Sequence, residues 1–222
     1  MSSFLQICQD FRQEAGLAGT GPASVKSQVG MDKKIVDWIR NAWINLQESQ
    51  RTWRFMWKGD GSITCIADIR SYDPVSLGFD VRNVIYESVT CRASGTQVRI
   101  PLSYIPYNQF KTQCLNLQPV TGRPTIFTWS PDNKLMLHPI PSSDFVVEFE
   151  YYRNPQELTE NTDVPIMPSR YHRVLVYLAL THYAVHDDAI TIYQDSKVQA
   201  SKLLDSLHAD QLEYFAATDA LA

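Results

Sequence analysis

Charged residues and cysteines are scarce in this sequence of 222 residues, and each shortage excludes a class of protein. Only 20% of the residues are charged, and 20 Lys and Arg against 24 Asp and Glu give a formal net charge of -4. The chain therefore lacks the excess of positive charge that is typical of proteins that bind nucleic acid or an acidic membrane surface. The four cysteines form no CxxC pair, which argues against zinc and disulfide frameworks and predicts buried free thiols.

Long hydrophobic runs are absent as well. Residues 1–6 lack the basic region and the apolar core of a signal peptide. No apolar run reaches the length needed to span a membrane. We therefore expect a soluble protein that is made in a cytoplasm and has no membrane contact. The 44% of hydrophobic residues suffices for one or two folded domains with sizeable cores.

Helical periodicity marks the N-terminal part of the chain. Residues 4–11 form a short amphipathic repeat, which predicts a helix that is capped by Ser2 or Ser3 and ended by a glycine. A stronger repeat predicts a second helix over 32–48, with Asp32 as its cap.

A third helix is predicted over 169–185, with Ser169 as its N-cap because that serine follows a proline. One apolar stripe of this helix consists of Tyr171, Val174, Leu175, Leu178, His182 and Val185. Further apolar residues lie off the stripe, namely Val176, Tyr177 and Leu180. A helix that is apolar on nearly all sides must be enclosed in a bundle core or against another subunit. The residues assigned to a subunit interface are Tyr171, Val174, Val176, Tyr177 and Leu180.

The chain then breaks at Asp187 and Asp188, and apolar residues at seven-residue spacing predict a long final helix over 189–215. Residues 216–222 are small and lack apolar anchors, so we expect a flexible tail.

Between the helices the period of the apolar residues changes to two, which predicts strands. Trp53, Phe55 and Trp57 predict a strand from Thr52 with an aromatic inner face. Further strands are predicted over 62–66 after a turn at 59–61, over 82–87 and over 96–100, with a short helix or turn near 103–114.

The clearest hairpin joins residues 125–129 to 134–138. Its turn has proline second, followed by Asp132 and Asn133, which is suitable turn chemistry. The last strand, over 145–152, places its apolar residues on one face and Glu148 and Glu150 on the other.

These elements predict an α+β fold. A helical bundle from the N- and C-terminal segments, residues 1–51 and 154–222, is interrupted by an inserted antiparallel β domain over 52–153.

Two groups of polar residues could carry chemistry, although a plainer interpretation is favoured for each. His182 and His186 share a helix face beside two aspartates, but two histidines are too few for a closed metal site. Glu148 and Glu150 have the spacing of paired glycosidase carboxylates, yet they alternate with a core face and point outward.

The remaining motif searches give no catalytic pattern. The glycine-rich segment 19–24 follows no strand and lacks the lysine of a phosphate loop, and no GxSxG or HExxH motif occurs. We therefore predict no enzyme, no catalytic or metal-binding residues and no cofactor. The 11 tyrosines and 5 tryptophans are compatible with a subunit interface or with an aromatic core.

Several stretches in order along the chain resemble the head-to-tail adaptor proteins of tailed bacteriophages. They are residues 11–22 (FRQEAGLAGTGP), 35–43 (IVDWIRNAW), 135–141 (LMLHPIP), 164–172 (VPIMPSRYH) and 177–180 (YLAL).

This resemblance implies a structural virion protein, made in the cytoplasm of a bacterial host and located in the neck at the head-tail interface. Such adaptors form a ring, here expected to have about 12 copies, below the portal protein. The ring extends a channel through which DNA passes without specific binding, and it docks tail, nozzle or collar proteins. The resemblance also implies that the C-terminal segment binds the portal, through Tyr214, Phe215, Asp219 and Leu221.

Alternatives stay open at this point. One is a tail-completion or collar protein of the same virion class. Another, of a different class, is a ligand-binding or hydrolytic β domain carried on helices. A pocket lined by convergent titratable groups would favour that last alternative, and a flat aromatic helical face with a disordered C-terminus would favour the adaptor.

Overall fold

The computed structural model describes residues 2–212 of the chain, with helices near both ends and β-sheets between them. The predicted α+β class is confirmed. In chain order the elements are α1 (Phe4–Glu14), α2 (Gly30–Ser49), β1 (Trp57–Cys65), β2 (Ser71–Tyr72), β3 (Val81–Ala93), β4 (Ile100–Pro101), β5 (Ser103–Tyr104), α3 (Tyr107–Phe110), β6 (Thr121–Gly122), β7 (Ile126–Trp129), β8 (Leu135–His138), β9 (Ile140–Pro141), β10 (Phe145–Arg153), α4 (Arg173–His186) and α5 (Ile190–Gln211).

The chain forms two compact units. The β unit is Trp57–Asn154, and the helical unit contains the chain up to Met56 and again from Pro155. In the helical unit α4 packs against α1, α2 and α5.

The N-terminal helices begin differently from each other. The Ser3 hydroxyl accepts a hydrogen bond from the Gln6 amide at 3.3 Å, which confirms the predicted cap of α1. The predicted cap of α2 is wrong, because the helix begins at Gly30 and no side chain caps it. Asp32 instead accepts a hydrogen bond from Arg12 at 2.6 Å, so its carboxylate links α2 to α1.

The third helix also starts later than predicted. Ser169 is not its N-cap, because Ser169–Tyr171 forms a 3-10 turn and α4 begins at Arg173. The predicted stripe fails at its C-terminal half, where His182 and Val185 are exposed. Because three helices pack on α4, its buried residues cover more than one stripe.

The break before α5 is confirmed, and Asp188 adopts a positive φ of 52° there. The predicted end of the last helix is wrong: α5 ends at Gln211 and Leu212 is already extended.

The aromatic repeat from Thr52 is not a strand, which corrects the prediction. Arg54–Met56 is a 3-10 turn, and Trp53 is fully buried in the helical unit. Its ring stacks on Phe55 and on His208, each at 5.3 Å between centroids, and its indole N–H donates to the Leu46 carbonyl at 3.0 Å. Burial against the helices therefore overrides the local alternation.

One four-stranded sheet of the β unit has the order β1-β10-β3-β4, with antiparallel pairing throughout. The predicted turn at 59–61 is wrong, because β1 continues through these residues with a bulge. Gly61 is required by close approach, since a Cβ there would lie 2.5 Å from the Phe149 carbonyl oxygen. The strand predicted over 82–87 extends to all of β3, whereas only β4 forms in the stretch 96–100.

The other four-stranded sheet has the order β2-β8-β7-β5. The predicted hairpin is confirmed as the antiparallel pair β7 and β8. Asn133 in its turn has a φ of 58°. Two short pairs, β5 with β7 and β6 with β9, are parallel. The stretch 103–114 contains β5, α3 and most of a π-helical turn, Lys111–Leu115.

A core of apolar side chains fills the β unit. Its fully buried members include Ile63, Phe127, Leu135, Leu137 and Val147. The thiols of Cys65 and Cys91 lie in the same core, and the other two cysteines are buried as well. The prediction of buried free thiols is confirmed.

Candidate assembly surfaces

The residues assigned to a subunit interface lie mainly inside the helical unit. Val174, Val176 and Leu180 are at most 2% exposed. Tyr171 is 8% exposed, and its hydroxyl donates to the Ser206 carbonyl at 3.2 Å. Tyr177 is half-buried and thus reaches the surface. The apolar character of the buried residues is accounted for by packing within the chain, and their interface role stays a prediction.

The residues assigned to portal binding are Tyr214, Phe215, Asp219 and Leu221. They lie outside the described residues 2–212.

An acidic cleft of about 230 Å³ lies between α1 and the start of α4. We use this name for the hollow lined by Asp10, Gln13, Glu14 and Arg173. Arg173 forms an ion pair with Glu14. Burial raises the pKa of the Asp10 carboxyl, an effect that Arg173 opposes and Glu14 reinforces. The cleft thus holds a carboxylate that lacks full compensation.

A basic groove of about 400 Å³ lies beside α2. It is formed by the loop 25–28 and by α2 residues Lys33, Val36, Asp37 and Arg40. Lys26 in the loop pairs with Glu160. Asp37 accepts a hydrogen bond from Arg40 at 3.2 Å and is 3.8 Å from the Lys33 ammonium. Cations outnumber carboxylates among the lining residues.

A polar hollow of about 380 Å³ lies on the β1-β10-β3 sheet and contains both candidate glutamates. Glu148 accepts hydrogen bonds from Arg92, at 3.0 Å, and from Arg99. The Arg99 bond is the main cause that lowers the pKa of Glu148, burial opposes it, and the Arg92 bond lowers the pKa further. Glu150 accepts from the Trp57 indole at 2.8 Å. A glycosidase acid needs a raised pKa, so Glu148 is unsuited to donate a proton.

An aliphatic rim occupies one end of the β unit. This name covers the exposed side chains of Ile66, Ile69, Leu117 and Val120, which are 54%, 42%, 63% and 50% exposed. Their loops meet at β9: the Asp68 amide donates to the Pro141 carbonyl, and the Ile140 amide donates to the Val120 carbonyl. Because β1 ends at Cys65, this end of the unit is away from its chain entry and exit.

His182 and His186 are both exposed near the end of α4. His186 lies 2.6 Å from the Lys34 ammonium and contacts the Trp38 ring. Among residues 2–212, no three His, Cys, Asp or Glu side chains are grouped as a metal site would need.

Comparison with protein families decides how these surfaces are interpreted. The model of the SU10 adaptor protein family matches residues 2–220. The chain belongs to the SU10 adaptor protein family. The resemblance to phage head-to-tail adaptors is thereby confirmed. No curated protein matches the chain.

Membership in the SU10 adaptor protein family gives the chain a structural role as a phage adaptor and favours a non-enzymatic protein. Over residues 2–212, no helix is long and apolar enough to cross a membrane.

Sequence patterns missed the charged surfaces of this SU10 adaptor. Asp10 and Glu14 are four residues apart on α1, and Lys33 and Arg40 are seven apart on α2, so helical spacing could have suggested a shared face for each pair. Arg173, the partner of Glu14, comes from distant sequence and could not be predicted from local spacing. The loop 25–28 lies just before α2, and its part in the groove depends on how the loop folds and not on helical spacing. The aliphatic rim had a weak signal, namely isolated aliphatic residues in segments rich in turn formers.

Proposed function

We propose that this SU10 adaptor is a head-to-tail adaptor that assembles as a ring of about 12 copies below the portal protein in the virion neck. The helical unit forms the ring and contacts the portal, and Tyr214, Phe215, Asp219 and Leu221 take part in that contact. The β unit docks tail, nozzle or collar proteins. The family match over residues 2–220 is the observation that carries this proposal.

The aliphatic rim supports a docking role for the β unit. Exposed apolar patches on soluble proteins commonly mark interaction sites. The rim lies on loops, and its residues are not members of the β-unit core, which other side chains fill. A partner that covers Leu117 and Val120 would remove apolar surface from water without rearranging that core.

The charge balance supports a role as a channel for DNA. A protein that neutralises many phosphates holds the duplex. With a net charge of -4, this chain has no overall attraction for the phosphate backbone. DNA can therefore pass through the ring without specific binding.

The same observations bear on the two alternatives, a tail-completion or collar protein and a hydrolytic β domain. A tail-completion or collar protein would use the same rim and differs in lacking the portal contact. A hydrolytic β domain is disfavoured because arginines hold Glu148 in its ionised form. The two glutamates of the polar hollow thus have other partners: Glu148 pairs with Arg92 and Arg99, and Glu150 accepts a hydrogen bond from the Trp57 indole.

The decisive measurement is the mass of the full chain, alone and mixed with the cognate portal ring, by native mass spectrometry. We expect a complex of one portal ring with about 12 copies of the chain. A portal ring whose mass does not change would contradict portal binding and would favour the collar alternative.

A further inference from the structure

A ring is closed by head-to-tail contacts, in which two different surfaces of neighbouring subunits meet. We propose that the acidic cleft of one subunit binds Lys26 and Lys33, the lysines of the basic groove, from the next copy of the same chain. This inference rests on the proposed ring and assigns its lateral contact.

The cleft has two carboxylates, Asp10 and Glu14, and one cation, Arg173. Among residues 2–212, Asp10 forms no ion pair, and the nearby Arg173 pairs with Glu14. A carboxylate that is partly withdrawn from water is stabilised by an additional cation nearby. The cleft is also open, with space of about 230 Å³ for an incoming side chain.

The groove can supply that cation. The side chains of Lys26 and Lys33 are 58% and 67% exposed. Their present partners, Glu160 and Asp37, are also exposed, and ion pairs at such sites contribute little to stability. Either ammonium can therefore turn toward a neighbouring carboxylate at small cost.

The two surfaces lie on different flanks of the helical unit. At 100° per residue, Arg12 is about 200° around α1 from both Asp10 and Glu14. Arg12 contacts Asp32 of α2, so the contact between α1 and α2 separates the cleft from the groove. This placement suits a head-to-tail contact, because the lysines of the groove cannot pair with the carboxylates of the cleft in the same subunit.

The cleft adjoins the predicted interface residue that reaches the surface. The Arg173 guanidinium lies 5.6 Å from the centre of the Tyr177 ring. A neighbour seated in the cleft would therefore also cover Tyr177. Charge complementarity and this continuity favour a second copy over an acidic or basic segment of another virion protein.

Charge reversal tests the contact in the full chain. One variant carries Asp10→Lys and Glu14→Lys, and the other carries Lys26→Glu and Lys33→Glu. We expect each variant alone to lose ring assembly by about tenfold or more, because like charges would face each other. An equimolar mixture should recover rings in which the two variants alternate, since every contact then pairs opposite charges. Native mass spectrometry distinguishes the two chains by mass.

A matched control carries Asp195→Lys and Asp205→Lys on α5, where both aspartates are exposed. It has the same change of charge as the cleft variant and should assemble normally. Full assembly by both variants alone, or no recovery in their mixture, would overturn the contact. If the unmodified chain forms no ring with or without the portal, the proposed function itself fails, which is a separate outcome.

Discussion

Glu148 illustrates how much the surroundings of a residue add to its sequence pattern. Alternation along its strand predicts an outward carboxylate, and the side chain does lie on the polar face of the sheet. Its partners could not be predicted, because Arg92 and Arg99 come from other segments of the chain. Because both arginines donate hydrogen bonds to it, the Glu148 carboxylate is the centre of an ion-pair cluster and not a freely solvated group.

These ion pairs predict a pH-dependent contribution to stability. The pKa of Glu148 is lower in the folded than in the unfolded chain, so its stabilising effect is complete above the unfolded pKa and is lost as pH falls through the folded pKa. We expect Glu148→Gln to lower the free energy of unfolding by roughly 1 kcal/mol near neutral pH. The deficit should shrink once the pH falls below the ordinary glutamate pKa.

Urea unfolding of both proteins between about pH 7 and about pH 3 measures this difference. Glu87→Gln is the matched control, because Glu87 is exposed on β3 and forms no ion pair among residues 2–212. A Glu148→Gln deficit that does not vary with pH would show that packing, and not the charge, causes the effect.

At the scale of the element, α4 shows that hydrophobicity predicts burial better than it predicts the partner. The run of apolar residues indicated a helix enclosed nearly all round. Contacts with α1, α2 and α5 provide that enclosure within the chain. Whether a helix is covered by its own chain or by another subunit depends on tertiary contacts, which leave no separate mark in periodicity.

Two neighbouring positions on α4 distinguish folding from assembly. Tyr177→Asp should leave the chain folded, since Tyr177 is half-buried, and should block ring formation because Tyr177 borders the proposed contact. Val176→Asp should unfold the helical unit, because an unpaired charge would replace a side chain that is 1% exposed. Circular dichroism and native mass spectrometry separate these outcomes. Normal rings of the Tyr177 variant would exclude this residue from the interface.

At the scale of the whole molecule, two compact units allow assembly and docking to be carried by different parts of one chain. The helical unit contains the cleft and the groove, and the β unit contains the aliphatic rim. Substitutions in one unit should then leave the task of the other unit intact.

The rim gives a direct test of this division. We expect Leu117→Asp combined with Val120→Asp to leave ring formation unchanged and to reduce binding of the tail protein by about tenfold or more, since two apolar contacts are replaced by charges. The measurement is pull-down of the tail protein with assembled rings. Val75→Asp with Leu77→Asp is the matched control, because both residues are similarly exposed in another loop of the β unit. Equal loss with both pairs would contradict a localised docking site.

Local sequence patterns were sufficient to predict much of the fold. Helix spacing predicted α1, α2, α4 and α5, and turn chemistry predicted the hairpin of β7 and β8, because these features depend on residues close in sequence. The errors occurred where distant packing prevailed. Trp53 packs in the helical unit although its neighbours alternate like a strand. Gly61 lies within β1 and not in a turn, and glycine is needed there because Phe149 leaves no space for a side chain.

The amino-acid sequence by itself determined the α+β class, the order of helices and strands, the absence of a strong basic field and the resemblance to phage adaptors. Only the tertiary structure decided which apolar residues of α4 are buried, which arginines neutralise Glu148, and where a cleft and a groove of opposite charge arise. The physical reason is that periodicity and charge are properties of neighbouring residues. Burial and ion pairing instead require side chains from distant segments to meet in space.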